Sequence, residues 1–432
     1  MFTRFRLDNG LQVVIKEMHH APVASFWIWY RVGSRNERPG ITGISHWVEH
    51  MFFKGTTAFP KGELDRQISR NGGFLNGFTG LDFTTFLETL PAEQIDLALR
   101  IEADRMINAL FDPQEVAAER TVIISERQGE ENNPTFLLQE EVRAAAFRVH
   151  PYHHETVGDM CDLEVITRDQ LWDYYRMYYG PHNAIAVLVG DIETEHARAR
   201  TEELFGVLPR GPEPPPVTQR EPEQKGERRT LVEGEDTTAY LEVAYHAPAA
   251  KDADLIKLRV LNAVLSGANS MSLLSAEGSD NRSSRLYKAL VETELATSVA
   301  GIVVPTIDPF LYRLVATVRA GRTPEEVEVA LDVQLQCMIA EPPSQEELNK
   351  AVKQVRAQFA YSSESVTSQA YWLGFAETVA DYEWFATFLD RLAAVTPQDV
   401  QELAGRVLRR SNRITGWYVP RDGNYRNRRG EQ

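Results

Sequence analysis

Ile166-Thr167, Leu171 and Asn183 of this 432-residue chain return as Val395-Thr396, Val400 and Asn412, every one displaced by 229 positions. A single offset held over separate positions reads as internal duplication, so the chain must fold as two like units and not around one core. In each copy a Thr starts a helix and a strand follows the Asn, over Ala184 to Val189 in one and Ile414 to Val419 in the other. Between Pro209 and Thr230 stand Pro212, Pro214, Pro215, Pro216 and Pro222 among Glu, Gln, Lys and Arg, a composition that extends and does not pack. The expected division is therefore a domain over 1–210, a linker over 211–229 and a homologous domain over 230–432. The length agrees, being too great for one ordinary core.

Local patterns set the fold class. Leu7 to Ile15 around Asn9-Gly10 predicts a hairpin, Val23 to Val32 and Phe83 to Leu90 predict strands, and Ala239 to Ala247 followed by Leu255 to Leu265 predicts a strand then a helix. Together they predict an α+β protein made of two homologous α/β sandwich domains, each an antiparallel-rich sheet with helices packed on it. Trp27 and Trp29 alternate along a strand as packing residues, His19-His20 marks an exposed turn, and Cys161 and Cys337 are expected to be small apolar core members.

The chemistry concentrates in His46-Trp47-Val48-Glu49-His50. On a helix, positions i, i+3 and i+4 share one face, so two imidazoles and a carboxylate come together. Two neutral histidines one turn apart can grip a divalent metal, and a glutamate beside them can take a proton from water. Gly40 to Ser45 before and Met51 to Thr56 after fit a short helix with a glycine stop at Gly55. A zinc site needs a third protein ligand, and the segment Pro113 to Asn133 offers Glu119 and Glu126 on an amphipathic helix. Seven residues bring these two back to nearly one face about 10 Å apart along the axis, so one can bind metal while the other supports it or meets substrate. An acidic helix face in water would carry the same residues without any such role. His150, His153 and His154 form a second, weaker candidate cluster.

His46, Glu49 and His50, followed by Glu126, resemble the inverted-motif zinc peptidases of the pitrilysin, insulin-degrading enzyme and mitochondrial processing peptidase family. Asn71 to Thr84, His150 to Gly158 and Thr167 to Asp191 are similar to that family's pattern as well. The resemblance implies one Zn2+ per chain held by His46, His50 and Glu126, with Glu49 as catalytic general base and Glu119 as an outer contact of the metal or a contact to the substrate amine. It further implies that peptide docks as an added strand along Phe74, Asn76 and Phe78, that the chain is a zinc metalloendopeptidase, and that its two domains form half of a clamshell. In the family an arginine and a tyrosine of the C-terminal homologous region complete the site. Here Val291 and Thr297 stand in those places. The expected partner is therefore a related subunit supplying the Arg/Tyr pair in a heterodimer. A homodimer is the runner-up, with Arg282, Arg285 or Tyr287 as substitutes. The segment 267–282 resembles the processing peptidases' substrate loop, although its composition equally suits a surface insertion. Relatives also serve as noncatalytic core or assembly subunits, a role with no chemical need for all four residues of the ligand and base set.

The net charge of −16 argues against nucleic acid and anionic membranes and favours basic peptides. Two cysteines make no disulfide framework, which points to a reducing, cytoplasmic setting. Arg4, Arg6, Asp8, Lys16 and Glu17 break any apolar signal-peptide core in the first twenty residues, and no run is long enough to span a bilayer.

Overall fold

A computed structural model describes residues 2–268 and 282–421, so most of the proposed substrate loop, residues 269–281, lies outside the described residues. In chain order the first half carries β1 (Thr3–Arg6), β2 (Gln12–Glu17), β3 (Val23–Tyr30), α1 (Ile44–Phe52), α2 (Glu63–Arg70), β4 (Phe74–Thr79), β5 (Thr84–Pro91), α3 (Ile95–Asn108), α4 (Pro113–Glu131), α5 (Pro134–Ala146), α6 (Met160–Val165), α7 (Arg168–Tyr178), β6 (Ala184–Gly190) and α8 (Thr194–Phe205). The second carries β7 (Arg228–Gly234), β8 (Tyr240–Ala247), α9 (Asp254–Leu265), β9 (Ala296–Val303), β10 (Phe310–Val318), α10 (Pro324–Ala340), α11 (Gln345–Tyr361), α12 (Val366–Val379), α13 (Tyr382–Ala386), α14 (Phe388–Ala393), α15 (Pro397–Val407) and β11 (Arg413–Pro420). Residues 211–227 take neither helix nor strand.

The duplication is visible in the sheets. One has the order β1-β2-β6-β3-β5-β4 and the other β7-β11-β8-β10-β9, the same succession apart from the extra β1. In both, all pairs are antiparallel except β2 with β6 and β7 with β11. Thr167 and Thr396 each accept from the backbone N–H three residues on, closing equivalent capping boxes at α7 and α15.

Strands divide at the proline-rich stretch, but helices do not. One compact unit comprises Met1–Gln128, His154–Gln219 and Ser363–Phe385, and the other Gly129–His153, Arg220–Ser362 and Ala386–Gln432. Thus α12 packs on β3 and β6, whereas α5 packs on β7, β8 and β11. This exchange explains why β3 is buried on both faces from Ala24 to Tyr30, since a sheet covered on both sides has no wet side to alternate with. Phe26, Ile28 and Tyr30 lie in the core shared with α1, α3 and α7. Trp27 and Trp29 stack at 5.5 Å on the other face, where Tyr371 of α12 meets both edge-on.

The contact between α12 and the sheet depends on Gly374, where an added methyl would collide with the Trp29 indole. Gly374→Ala is expected to cost about 1–3 kcal/mol by overpacking, measurable as a lowered midpoint of tryptophan-monitored unfolding. An unchanged midpoint would mean that α12 shifts freely over the sheet.

Cys161 and Cys337 are both exposed, contrary to the core position expected of them. Each sits on the outer side of its helix, where the neighbours Leu163 and Met338 take the buried positions.

Candidate metal centre

Helix α1 is anchored before it presents anything. Gly43 begins it at φ 83°, in a niche where a side chain would strike the Val157 carbonyl and Gly158. The buried Glu37 carboxylate accepts from the N–H groups of Gly43 and Ser45, both at 2.8 Å, placing negative charge at the helix N-terminus. His154 Nε2 lies 2.9 Å from Glu37, and Asp162 accepts from Gly40 N–H, Thr42 N–H and the Thr42 hydroxyl. None of these supports was found from the sequence. The histidine cluster was the available signal, and its members serve separate purposes: His150 faces Asp308 at 3.1 Å while His154 serves Glu37. Among the described residues, His46, His50 and Glu126 are the one group of His, Cys, Asp and Glu placed to hold a metal.

Those three converge closely. His46 Nε2 and His50 Nε2 lie 3.1 Å apart, and Glu126 Oε2 is 3.5 Å from His50 Nε2 and 3.9 Å from His46 Nε2. Tetrahedral zinc with bonds of about 2.0–2.1 Å places its ligand atoms about 3.4 Å apart, within the span of this triangle. Burial, helped by the nearby His50, lowers the His46 pKa to about 3, which keeps its imidazole neutral as a ligand must be. For His50 burial acts downward, but the Glu119 hydrogen bond and the Glu126 and Glu49 carboxylates outweigh it and raise the pKa. Glu119, on α4 and buried, meets His50 Nδ1 at 2.8 Å through Oε1 and Lys54 Nζ through Oε2. A carboxylate on Nδ1 leaves the Nε2 lone pair for metal, the carboxylate–histidine–zinc arrangement. The residues present fit zinc.

Glu49 is buried beside the two histidines on α1. Burial raises its pKa to about 7, opposed by the hydrogen bond that the Thr79 hydroxyl donates to Oε2 at 2.6 Å. Thr79 ends β4, which among the described residues is the outermost strand of its sheet and pairs with β5 alone. Along β4, Phe74 is 51% exposed, Asn76 Oδ1 accepts from the N–H of Gly77, and the Phe78 ring packs edge-on against Trp27 and Trp29. The alternation of a strand sets Phe74, Asn76 and Phe78 on the face opposite Thr79. A side chain at Gly77 would meet Phe86 and Phe53 at about 3 Å, so the strand lies close against the core below the metal helix.

In the second unit α9 holds the position of α1 and carries no histidine. Its Arg259 donates to the Val303 carbonyl and its Asn262 to the Gly301 carbonyl, so these polar groups brace β9. Val291 lies on a π-helical turn and Thr297 on β9, while Arg285 is held by Glu347 at 2.8 and 2.9 Å.

Two family models match in succession, Insulinase (Peptidase family M16) over residues 12–160 and Peptidase M16 inactive domain over residues 166–355. The chain belongs to the insulinase family of M16 peptidases. It is similar to the zinc protease PqqE of Helicobacter pylori, with 31% identity over 64% of this chain and 63% of that protein. It is also similar to the probable beta subunit of the mitochondrial-processing peptidase of Arabidopsis thaliana, with 26% identity over 73% of this chain and 59% of the relative. The match thus spans about three fifths of each of these two proteins. Among solved structures, a protease from Helicobacter pylori superposes with a TM-score of 0.91 at 25% identity, covering 97% of this chain and 99% of that one. No helix among the described residues is long and apolar enough to cross a membrane.

At this centre Lys54 Nζ meets the outer oxygen of Glu119, whose inner one lies against His50. Glu119→Gln and Lys54→Met are expected to weaken zinc binding roughly 10–100-fold, the larger loss belonging to Glu119. Competition against a chelating dye measures this, and unchanged affinity in both would leave the His50 ring positioned by α1 alone.

Proposed function

We propose that the chain is a zinc-dependent endopeptidase acting on peptides or unfolded segments, with one zinc held by His46, His50 and Glu126. The observation that carries this reading is the ligand triangle with a buried carboxylate, Glu49, on the same helix turn and tied to the end of an open-edged strand. Zinc bound there supplies Lewis acidity toward water and toward a peptide carbonyl. Glu49 accepts the proton of the attacking water and returns it to the leaving amine nitrogen. Thr79 aims the Glu49 oxygen, and Glu119 keeps the His50 ring turned toward Glu126. Substrate backbone adds along the free side of β4 past Phe74, Asn76 and Phe78, so main-chain hydrogen bonds supply affinity with little sequence preference.

The chain acts as the metal-bearing subunit of a two-subunit peptidase. Val291 and Thr297 offer neither a cation nor a phenol for a developing oxyanion, and the loss of one such donor is worth on the order of 3 kcal/mol of barrier. A related subunit bringing an arginine and a tyrosine supplies them, and pairing with a second copy is the alternative. Two free, exposed thiols are in keeping with a reducing compartment such as the cytoplasm.

The test combines zinc stoichiometry with cleavage of an unstructured peptide library, for the chain alone and with candidate partner subunits. One zinc per chain and partner-stimulated cleavage are expected. Zinc persisting at full occupancy in His46→Ala would move the metal elsewhere, and zinc binding without cleavage in any pairing would reduce the protein to a noncatalytic subunit.

A further inference from the structure

Behind the carboxylate of Glu49 a succession of hydroxyl groups leads back to the backbone of the same residue. The Thr79 hydroxyl donates to Glu49 Oε2 at 2.6 Å, and Thr84 Oγ1 stands 3.4 Å behind it, on the residue directly across the β4–β5 pair. Thr84 is fully buried and donates its one proton to the Val32 carbonyl at 2.9 Å. A threonine hydroxyl also has two acceptor sites. Here they face Thr79 and the Tyr179 hydroxyl, which lies 3.2 Å away. Tyr179, at the C-terminal end of α7, donates in turn to the Ser45 carbonyl at 3.2 Å. Ser45 precedes Glu49 by four residues on α1, so helical pairing gives that same carbonyl to the Glu49 N–H.

The circuit therefore closes on Glu49 from two sides, its carboxylate and its backbone, and ties α1 to the end of β4, the start of β5 and the end of α7. Its inner members are fixed. With its proton and both acceptor sites committed, Thr84 cannot turn without stranding a buried polar group. The buried Tyr179 ring packs against Tyr30 and Phe52, with centroids 5.0 and 5.3 Å away. Thr79, by contrast, is half-buried at a strand end, where its own packing restrains it less.

We propose that Tyr179 and Thr84 are positioning residues for Glu49: acting through the Thr79 hydroxyl and the Ser45 carbonyl, they hold its carboxylate in one orientation beside the two histidines. The inference rests on Glu49 as the general base proposed above, but the geometry it requires can be read without turnover.

Steady-state cleavage by the full chain, in whichever pairing is active, and crystals of the metal-free chain test it together. Tyr179→Phe, which keeps the ring and its packing, is expected to lower kcat about 3–10-fold, the share of a single hydrogen bond, with KM and zinc affinity unchanged. A role in stability alone would lower the melting temperature and leave kcat as it is. Thr84→Val should act like Tyr179→Phe, and Thr84→Ser, which returns the hydroxyl, should recover the loss. Because all three side chains act on one carboxylate, Tyr179→Phe should cost less in a Thr79→Val background than in the parent. In metal-free crystals of Tyr179→Phe, the Thr79 hydroxyl is expected to lie more than about 3.5 Å from Glu49 Oε2, or Glu49 to occupy a second rotamer. An unchanged Glu49–Thr79 contact, kcat within about twofold of the parent, or equal cost in the two backgrounds would each overturn the proposal. A parent chain that cleaves nothing in any pairing would remove the peptidase reading, and the crystal contact alone would then decide whether Glu49 is held in this way.

Discussion

Glu49→Gln is expected to keep one zinc per chain and lose about 10²–10⁴-fold in peptide turnover, the contribution of a positioned general base. Glutamine matches glutamate in volume, and its amide oxygen can still accept from the Thr79 hydroxyl, so the helix and the histidine pair remain as they are. What disappears is the capacity to take a proton. Metal analysis and turnover must therefore part company, measured in whichever subunit pairing the unaltered chain is active. Turnover within tenfold of the parent would remove Glu49 from proton transfer, and loss of zinc together with turnover would make it a structural support of the site.

The largest expected effect on stability lies in the core beneath the metal helix. Arg105, Glu88 and Glu102 are fully buried, with Arg105 Nη2 donating to Glu88 at 3.1 Å and to Glu102. The guanidinium lies over Phe86, its carbon 4.3 Å from the ring centroid. Burial, with Glu102 adding repulsion, holds the Glu88 carboxyl well above the usual carboxylate range, and one guanidinium serves both carboxyl groups. Arg105→Ala leaves the Glu102 charge in the core without its cation and should cost about 3–5 kcal/mol. Six of the seven tryptophans belong to the unit containing this cluster, so tryptophan fluorescence during denaturation reports on it. Glu102→Gln with Arg105→Met, which removes both charges, should recover most of the loss. Failure to recover would mean that Glu88 is ionised and needs the arginine.

Much of the architecture was legible along the chain because its signals are local. The 229-residue offset anticipated two sheets of like order, and the strands expected from alternation lie within a few residues of β2, β3, β5, β6, β8 and β11. Thr167 and Thr396 cap helices because their hydroxyls reach only three residues along the backbone. The exchange of α5 and α12 between the units left no such trace. An apolar helix is equally content on either sheet, and the choice rests on fits such as Gly374 against Trp29 or Gly416 against Val142. For the same reason Cys161 and Cys337 were misjudged: small residues on a helix do not declare which side faces water.

At the metal centre the spacing of His46, Glu49 and His50 was decided by helix geometry, since 3.6 residues per turn leaves them one common face. That Glu126 closes the triangle while Glu119 turns to His50 Nδ1 and Lys54 could be settled only by where α4 lies against α1. The same holds for Glu37, His154 and Asp162, which carry no motif and acquire their purpose from helix N–H groups and loop amides distant in the chain. Residue type and spacing dictate what a helix or strand can offer, because those contacts lie within a few residues. Which offered groups meet is decided by packing between segments far apart in sequence, where shape and the need to satisfy buried polar atoms select one arrangement.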